Sequence, residues 1–250
     1  MTDGYHGGAC DVVRLVVGYD PLEAIGYHVF CSSVIRRSSL PLQITPLHLP
    51  NLADYDETHA DGSNDFVYSR FLVPHLMGYE GFAIFADGAD MLCRSDIADL
   101  WRMRDSLKAV QVVQHEYTTT SRRKYVGTSM EAPNASYPRK NWSSLMLINC
   151  AHYGWRSMGP GRLSAMTGTD LHRFSFLDER SIGELPATWN WLVREYPYED
   201  GAQIAHFTLG IPAFAHYSAD EYASEWWDEW HEVKGHADYR RVPRAAAATA

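Results

Sequence analysis

Residues 79–101 read YEGFAIFADGADMLCRSDIADLW, and the fold is decided by how this stretch changes character. Residues 82–86 are a continuous apolar run, the pattern of a strand covered on both faces in the middle of a parallel sheet. The run stops on two carboxylates, Asp87 and Asp90, separated by Gly88 and Ala89. Ligands of open α/β sheets sit beyond the carboxyl ends of the strands, so these acids stand where chemistry is expected. Two carboxylates on a glycine-containing turn suit a hard divalent cation, which keeps waters and completes its shell with a bound phosphate. Met91, Leu92 and residues 96–101 are expected to form a short helix returning to the fold.

Upstream, residues 12–18 (VVRLVVG) form a β-branched run, the expected first strand. Asp20 as N-cap, Pro21 at the first helical position and Glu23 at the third then make a strong helix start. Leu22, Ile25, Gly26, Val29, Phe30 and Val34 recur at helical spacing, giving one buried face. Strand, tight turn and helix are the opening of a nucleotide-binding α/β unit. Residues 42–49 read as a second strand and 51–63 as an acidic surface loop. Asn64 and Asp65 can cap a helix over 66–77, whose end Pro74 shortens.

Downstream, residues 109–114 (AVQVVQ) are another strand. Residues 115–140 then form a long irregular stretch carrying Arg122, Arg123, Lys124, Arg139 and Lys140 against only Glu116 and Glu131. A loop of this length in a compact domain is a functional lid or acceptor-binding segment, or a mobile solvated one. The segment 218–232 opens with Ser218 and Glu221 in capping-box spacing and is an acidic, Trp-rich helix, unlike the basic helices that lie on membranes.

The chain has 250 residues, a natural size for one α/β domain over 1–250, with a core at about 12–214 and a frayed tail at 240–250. A net charge of -9 argues against general coating of nucleic acid or anionic membrane, because counterion release needs Lys and Arg. The cysteines, Cys10, Cys31, Cys93 and Cys150, lack metal-type spacing and lie in or beside apolar runs, as buried thiols of a cytoplasmic protein would. The opening MTDGYHGGAC has neither a charged nor an apolar signal region, and no apolar run has the length of a membrane span.

Taken in order, several of these stretches resemble the A-type-fold nucleotide-sugar glycosyltransferases, nearest to glycosyltransferase family 8, the glycogenin and lipopolysaccharide glucosyl- and galactosyltransferase group. That family ends a strand in Asp-x-Asp, followed by an apolar pair, a further Asp and a Leu-Trp-like pair. Here the acids are Asp-x-x-Asp, so either Gly88-Ala89 is a small bulge that keeps both acids on the metal, or only Asp90 ligates directly. Arg70, in Tyr-Ser-Arg-Phe-x-x-Pro, resembles the family's Arg-containing helix, and its rigid fork suits carboxylate or diphosphate oxygens. Asn141-Trp142-Ser143-Ser144, leading into an apolar strand, is similar to the strand that lines the donor sugar, with the motif shifted and its Gly lost. Ile204-Ala205-His206-Phe207-Thr208-Leu209-Gly210-Ile211-Pro212 matches the family's C-terminal strand and loop, whose His is the third metal ligand and whose Gly lets backbone approach the diphosphate. The Lys of that motif is missing, and residues 122–124 are placed to take over its contact.

The resemblance implies an α/β fold with one Rossmann-like mixed sheet flanked by helices, and a hexosyltransferase using a UDP-sugar with retention. It implies Mn²⁺ or Mg²⁺ on Asp87, Asp90 and His206. It further implies donor contacts from Gly18, Tyr19, Asp20, Arg70, Asp87, Ser143, Ser144 and Gly210, and catalytic positions at Asn141 and Asp178, the latter standing near the transferred sugar. The acceptor is left open: a saccharide or small molecule, or a hydroxymethylated base in phage-type DNA gripped by the basic loop. A non-catalytic sugar-nucleotide binding protein is the alternative of another class. No membrane partner is expected.

Overall fold

The computed structural model describes residues 11–62 and 64–235, so Cys10 and the expected frayed tail lie outside the described residues. In chain order the elements are β1 (Val13–Gly18), α1 (Ala24–Arg37), β2 (Leu42–Leu47), α2 (Val73–Leu76), β3 (Phe82–Ala86), β4 (Met91–Cys93), α3 (Ile97–Arg102) and β5 (Val110–Val112). There follow β6 (Arg123–Lys124), β7 (Ala132–Pro133), β8 (Leu145–Asn149), α4 (Pro160–Ala165), α5 (Gly168–His172), β9 (Ile182–Glu184), β10 (Trp191–Leu192), β11 (Ile204–His206) and α6 (Ala223–Val233).

Six strands form the main sheet in the order β2-β1-β3-β8-β5-β9. β1 runs parallel to β2 and β3, whereas β8 is antiparallel to both β3 and β5, so the sheet is mixed. The strand period of two divides its apolar residues between faces. Val16 and Phe85 pack with Phe66, Phe71, Trp155 and Phe174, while Leu15, Val17, Ile84 and Ala86 pack with Phe30, Val34, Ile97 and Trp101. Each such side chain contributes about 1.5–3 kcal/mol by leaving water. Both faces are covered, which is why the apolar run 82–86 shows no polar alternation.

Three local expectations are corrected. Residues 66–77 form a 3₁₀ turn (Ser69–Leu72) and the short α2 rather than one helix. Pro74 lies in the first turn of α2, where its missing N–H costs nothing; a longer helix would have to place it inside. Met91 and Leu92 belong to strand β4, and Asp96 caps α3 by accepting from the Ala98 N–H at 2.9 Å. Ser218 does not open α6: Tyr222 takes a left-handed φ of 60° and starts that helix, while the Ser218 hydroxyl donates to the Ala215 carbonyl at 3.0 Å. α6 instead docks on α1 through buried Glu229, which accepts from Ser32 Oγ at 2.7 Å and pairs with Arg37 at 3.0 Å.

Candidate active site

The turn after β3 is built for one shape. Gly88 has φ 66°, and a Cβ there would lie 2.2 Å from Val17 Cγ1. The left-handed conformation and the close approach both demand glycine. A Cβ on Gly26 of α1 would lie 1.7 Å from the Ala89 carbonyl oxygen, so the helix backbone presses directly on the turn. Ala89 N–H donates to the Asp87 carbonyl at 2.6 Å, closing a tight loop, and Asp87 N–H donates to the Ser144 carbonyl at 2.8 Å. The extra residue of Asp-x-x-Asp is absorbed in this loop, and both carboxylates emerge on one side.

The register of the three-stranded sheet supplies the third group. β11 pairs antiparallel with β4, setting His206 opposite Met91, and Phe207 N–H donates to the Asp90 carbonyl at 2.7 Å. Ligand atoms of Asp87, Asp90 and His206 consequently lie within 4.8 Å of one another. Asn190, fully buried, donates its amide to Ser144 Oγ at 2.9 Å, which turns its Oδ1 toward His206 Nδ1 at 2.8 Å. His206 Nδ1 therefore carries a proton, and Nε2 is turned toward Asp90 Oδ2, 3.2 Å away. A lone pair and a carboxylate oxygen face each other favourably only with a proton or cation between them. Asp90 Oδ1 is also buried without a hydrogen bond. Two carboxylates and a neutral imidazole fit Mn²⁺ or Mg²⁺, with mixed nitrogen and oxygen donors favouring Mn²⁺.

Arg70 completes the floor. It is 4% exposed, its Nη1 forms an ion pair with Asp87 Oδ1 at 2.7 Å, and the same nitrogen donates to the Ser143 carbonyl at 3.0 Å. The guanidinium lies over the Phe66 and Phe85 rings, at 5.6 and 5.1 Å. Burial pushes the Asp87 carboxyl up to about 6, with Arg70 holding it down and Asp90 adding to the rise.

These residues open onto one cavity of ≈ 270 Å³, lined by Arg70, Asp87, Asp90 and His206 and walled by Asn141, Ser143 and Ser144. Five other expected residues stand outside its lining. Asp20 is buried with both oxygens engaged, Oδ1 accepting from Leu22 N–H at 2.8 Å and Oδ2 from Asp65 N–H at 3.1 Å. Gly18 makes room for the Phe66 ring, 2.4 Å from its would-be Cβ, and Gly210 likewise for Tyr217 at 2.3 Å. Tyr19 sits edge-on to Tyr27 and His48. Asp178 caps the turn Glu179–Ser181 and pairs with Arg180 at 3.3 Å.

Protein CDI of Arabidopsis thaliana is 38% identical to this chain over 228 residues, 88% of the chain and 86% of that protein. The chain belongs to the Protein CDI family. No model of a known protein family matches it. Solved structures show the fold of this CDI-family chain. The apo WbbM bifunctional glycosyltransferase superposes with TM-score 0.61 at 13% identity, over 91% of the chain and 52% of WbbM. Apo GlyE of Streptococcus pneumoniae TIGR4 gives 0.58 at 15% identity, over 89% and 62%. The galactosyltransferase LgtC, in complex with donor and acceptor sugar analogs, gives 0.57 at 11%, over 90% and 98%. The chain thus spans about half of WbbM and under two thirds of GlyE, but nearly all of LgtC. The fold of this chain is the A-type glycosyltransferase fold, as the motifs implied.

Three side chains of this CDI-family site take orientations that no local pattern specifies. Asn190 stands between two tryptophans, and nothing local says that its hydrogen-bond partner is His206. Glu23 reads as a first-turn helix acid, yet it is 1% exposed with Oε1 unpartnered, and burial beside Asp90 and Asp20 raises its carboxyl well above the ordinary range. Lys124 is one of five basic loop residues, and only the fold shows that it alone of the Arg122-Arg123-Lys124 run lines the cavity.

Proposed function

We propose that this chain is a metal-dependent glycosyltransferase that moves a hexose from a nucleotide-diphosphate sugar, UDP-glucose or UDP-galactose, to an acceptor hydroxyl with retention of configuration. The observation that carries this is the Asp87, Asp90 and His206 cluster facing one cavity with Arg70, at the carboxyl end of β3 in an A-type glycosyltransferase fold. Held there, Mn²⁺ or Mg²⁺ would supply positive charge to the leaving nucleotide diphosphate. The chain's own part is positional. Asn190 fixes the imidazole, Arg70 keeps Asp87 in place and offers charge to phosphate oxygens, and Asn141, Ser143 and Ser144 present polar groups to the sugar.

The acceptor in this proposal is a saccharide or small molecule. A second cavity of ≈ 510 Å³ shares Val67, Lys124, Pro133, Tyr137 and His172 with the first, and Tyr68 and Tyr137 give it aromatic walls suited to a sugar ring. The DNA alternative needs a free basic strip. Arg123 is paired with Glu131 and Arg139 with Glu179, while Lys140 donates to the Ala135 carbonyl and Lys124 faces inward. A cytoplasmic location is part of this proposal, supported by Cys31, Cys93 and Cys150, which are free and buried.

A hydrolysis screen over UDP-, GDP- and ADP-sugars, with and without Mn²⁺, tests the proposal. Metal-dependent release of UDP from a UDP-hexose is expected. Tight metal-dependent binding without turnover or transfer would instead make the chain a sugar-nucleotide binding protein, and no binding of any donor would remove the proposal.

A further inference from the structure

We infer that Lys124, delivered by the β6–β7 hairpin, binds the diphosphate of the donor across the cavity from Arg70 and makes metal and diphosphate binding interdependent; this rests on the donor reading above. The hairpin backbone is held against the segment that follows His206. Tyr125 N–H donates to the Leu209 carbonyl at 2.7 Å and Val126 N–H to the Tyr217 hydroxyl at 3.0 Å. Tyr125 is 3% exposed and takes a left-handed φ of 56°, a conformation a tyrosine keeps only where its surroundings impose it. Strand alternation then sends Arg123 outward, to Glu131, and Lys124 inward.

Lys124 lines both cavities, and among the described residues its ammonium makes no hydrogen bond or ion pair, facing only the Tyr125 ring at 5.1 Å. Burial pulls its pKa down while the charges of Asp90, Glu23 and Asp87 hold it up. A half-buried lysine with unused donors, beside carboxylates it does not touch, is poised for a ligand that brings several anionic oxygens.

The charge balance says which ligand. Burial beside Asp90 and Asp20 raises the Glu23 carboxyl well above the ordinary range, which disfavours a third negative charge here. The carboxylates of Asp87 and Asp90 are offset by the guanidinium of Arg70 and the ammonium of Lys124. A divalent cation entering alone would leave the cavity with an uncompensated double positive charge. The diphosphate diester of a nucleotide sugar carries two negative charges and restores neutrality. Lys124 therefore opposes the metal alone and favours the metal with diphosphate, a coupling that a purely structural lysine would not produce.

Calorimetry at pH 7.5 tests this with Mn²⁺ alone, with UDP at saturating Mn²⁺, and with uridine, which lacks phosphate. Lys124→Met should weaken UDP binding about tenfold or more, the ordinary worth of a charge-assisted contact. It should bind Mn²⁺ alone at least as tightly as the wild type and leave uridine affinity unchanged. Lys124→Arg should recover most of the UDP affinity, and unchanged melting of both variants shows that the hairpin still folds. Equal or tighter UDP binding by Lys124→Met, with wild-type binding intact, would overturn the inference alone. Wild-type protein that binds no UDP with Mn²⁺ would sink the donor reading and the inference with it.

Discussion

Gly26→Ala is a substitution on which helix propensity and the packed structure disagree in sign. In an exposed helix interior, Gly to Ala gains about 1 kcal/mol. In α1 the new Cβ would lie 1.7 Å from the Ala89 carbonyl oxygen and 2.8 Å from its carbon, both backbone atoms with no rotamer to yield. Overpacking of this kind costs about 1–3 kcal/mol, and a contact this short belongs at the upper end. The expected result is a net loss of about 1–2 kcal/mol in urea unfolding. Restoring a normal carbon–oxygen contact needs roughly 1.5 Å of movement between α1 and the acid turn. Because the three ligand atoms span at most 4.8 Å, such a shift spoils their convergence, and Mn²⁺ affinity by calorimetry should fall about tenfold or more. A variant as stable as wild type, with undiminished Mn²⁺ affinity, would refute the contact between α1 and the metal turn.

Three further outcomes are expected. Asn190→Ala should lower Mn²⁺ affinity about 10–100-fold, because His206 loses the partner that fixes its tautomer; unchanged affinity would show that Asn190 only fills space. Arg70→Ala should weaken UDP-sugar binding by roughly 1.5–3 kcal/mol in calorimetry, and an unaltered donor affinity would return Arg70 to a purely structural role. The Asp87 carboxyl, raised in the fold to about 6 from 3.8, favours folding fully only below pH about 4, and that contribution is lost as pH rises through 6. The metal-free protein should accordingly lose stability over this interval, by on the order of 3 kcal/mol at most, while Mn²⁺, which needs the ionised carboxylate, binds more tightly. Asp87→Asn should flatten the stability profile there; a variant whose unfolding keeps the wild-type pH dependence would exclude Asp87 as its source.

The sheet and its active end were legible because a covered strand announces itself. The unbroken run 82–86, the Asp20-Pro21 helix start and the β-branched first strand all report local rules, and each forms near its expected bounds. His206 was legible through its motif, and its approach to Asp90 follows from the pairing of β11 with β4, which no local pattern encodes. What the sequence left coarse was the direction in which single side chains point. Glu23 turns inward from a helix start, Asn190 serves an imidazole from sixteen positions away, and Lys124 faces a cavity from a loop of surface composition. Asp20 shows the converse: the cap that local rules announce is present, Oδ1 accepting from Leu22 N–H, and Oδ2 accepts from Asp65 N–H as well. The helix expected over 66–77 was lost to Pro74, which tolerates only a first turn, and the capping box at Ser218 to a left-handed Tyr222.

The central claim is that one divalent cation sits among Asp87, Asp90 and His206 and bridges to a nucleotide diphosphate. A crystal grown with Mn²⁺ and UDP tests it through the anomalous signal of manganese. The account predicts a single peak within coordination distance of all three side chains and of diphosphate oxygens, absent from crystals of Asp90→Asn. A peak elsewhere, or UDP bound in the cavity with no metal at this cluster, would contradict it.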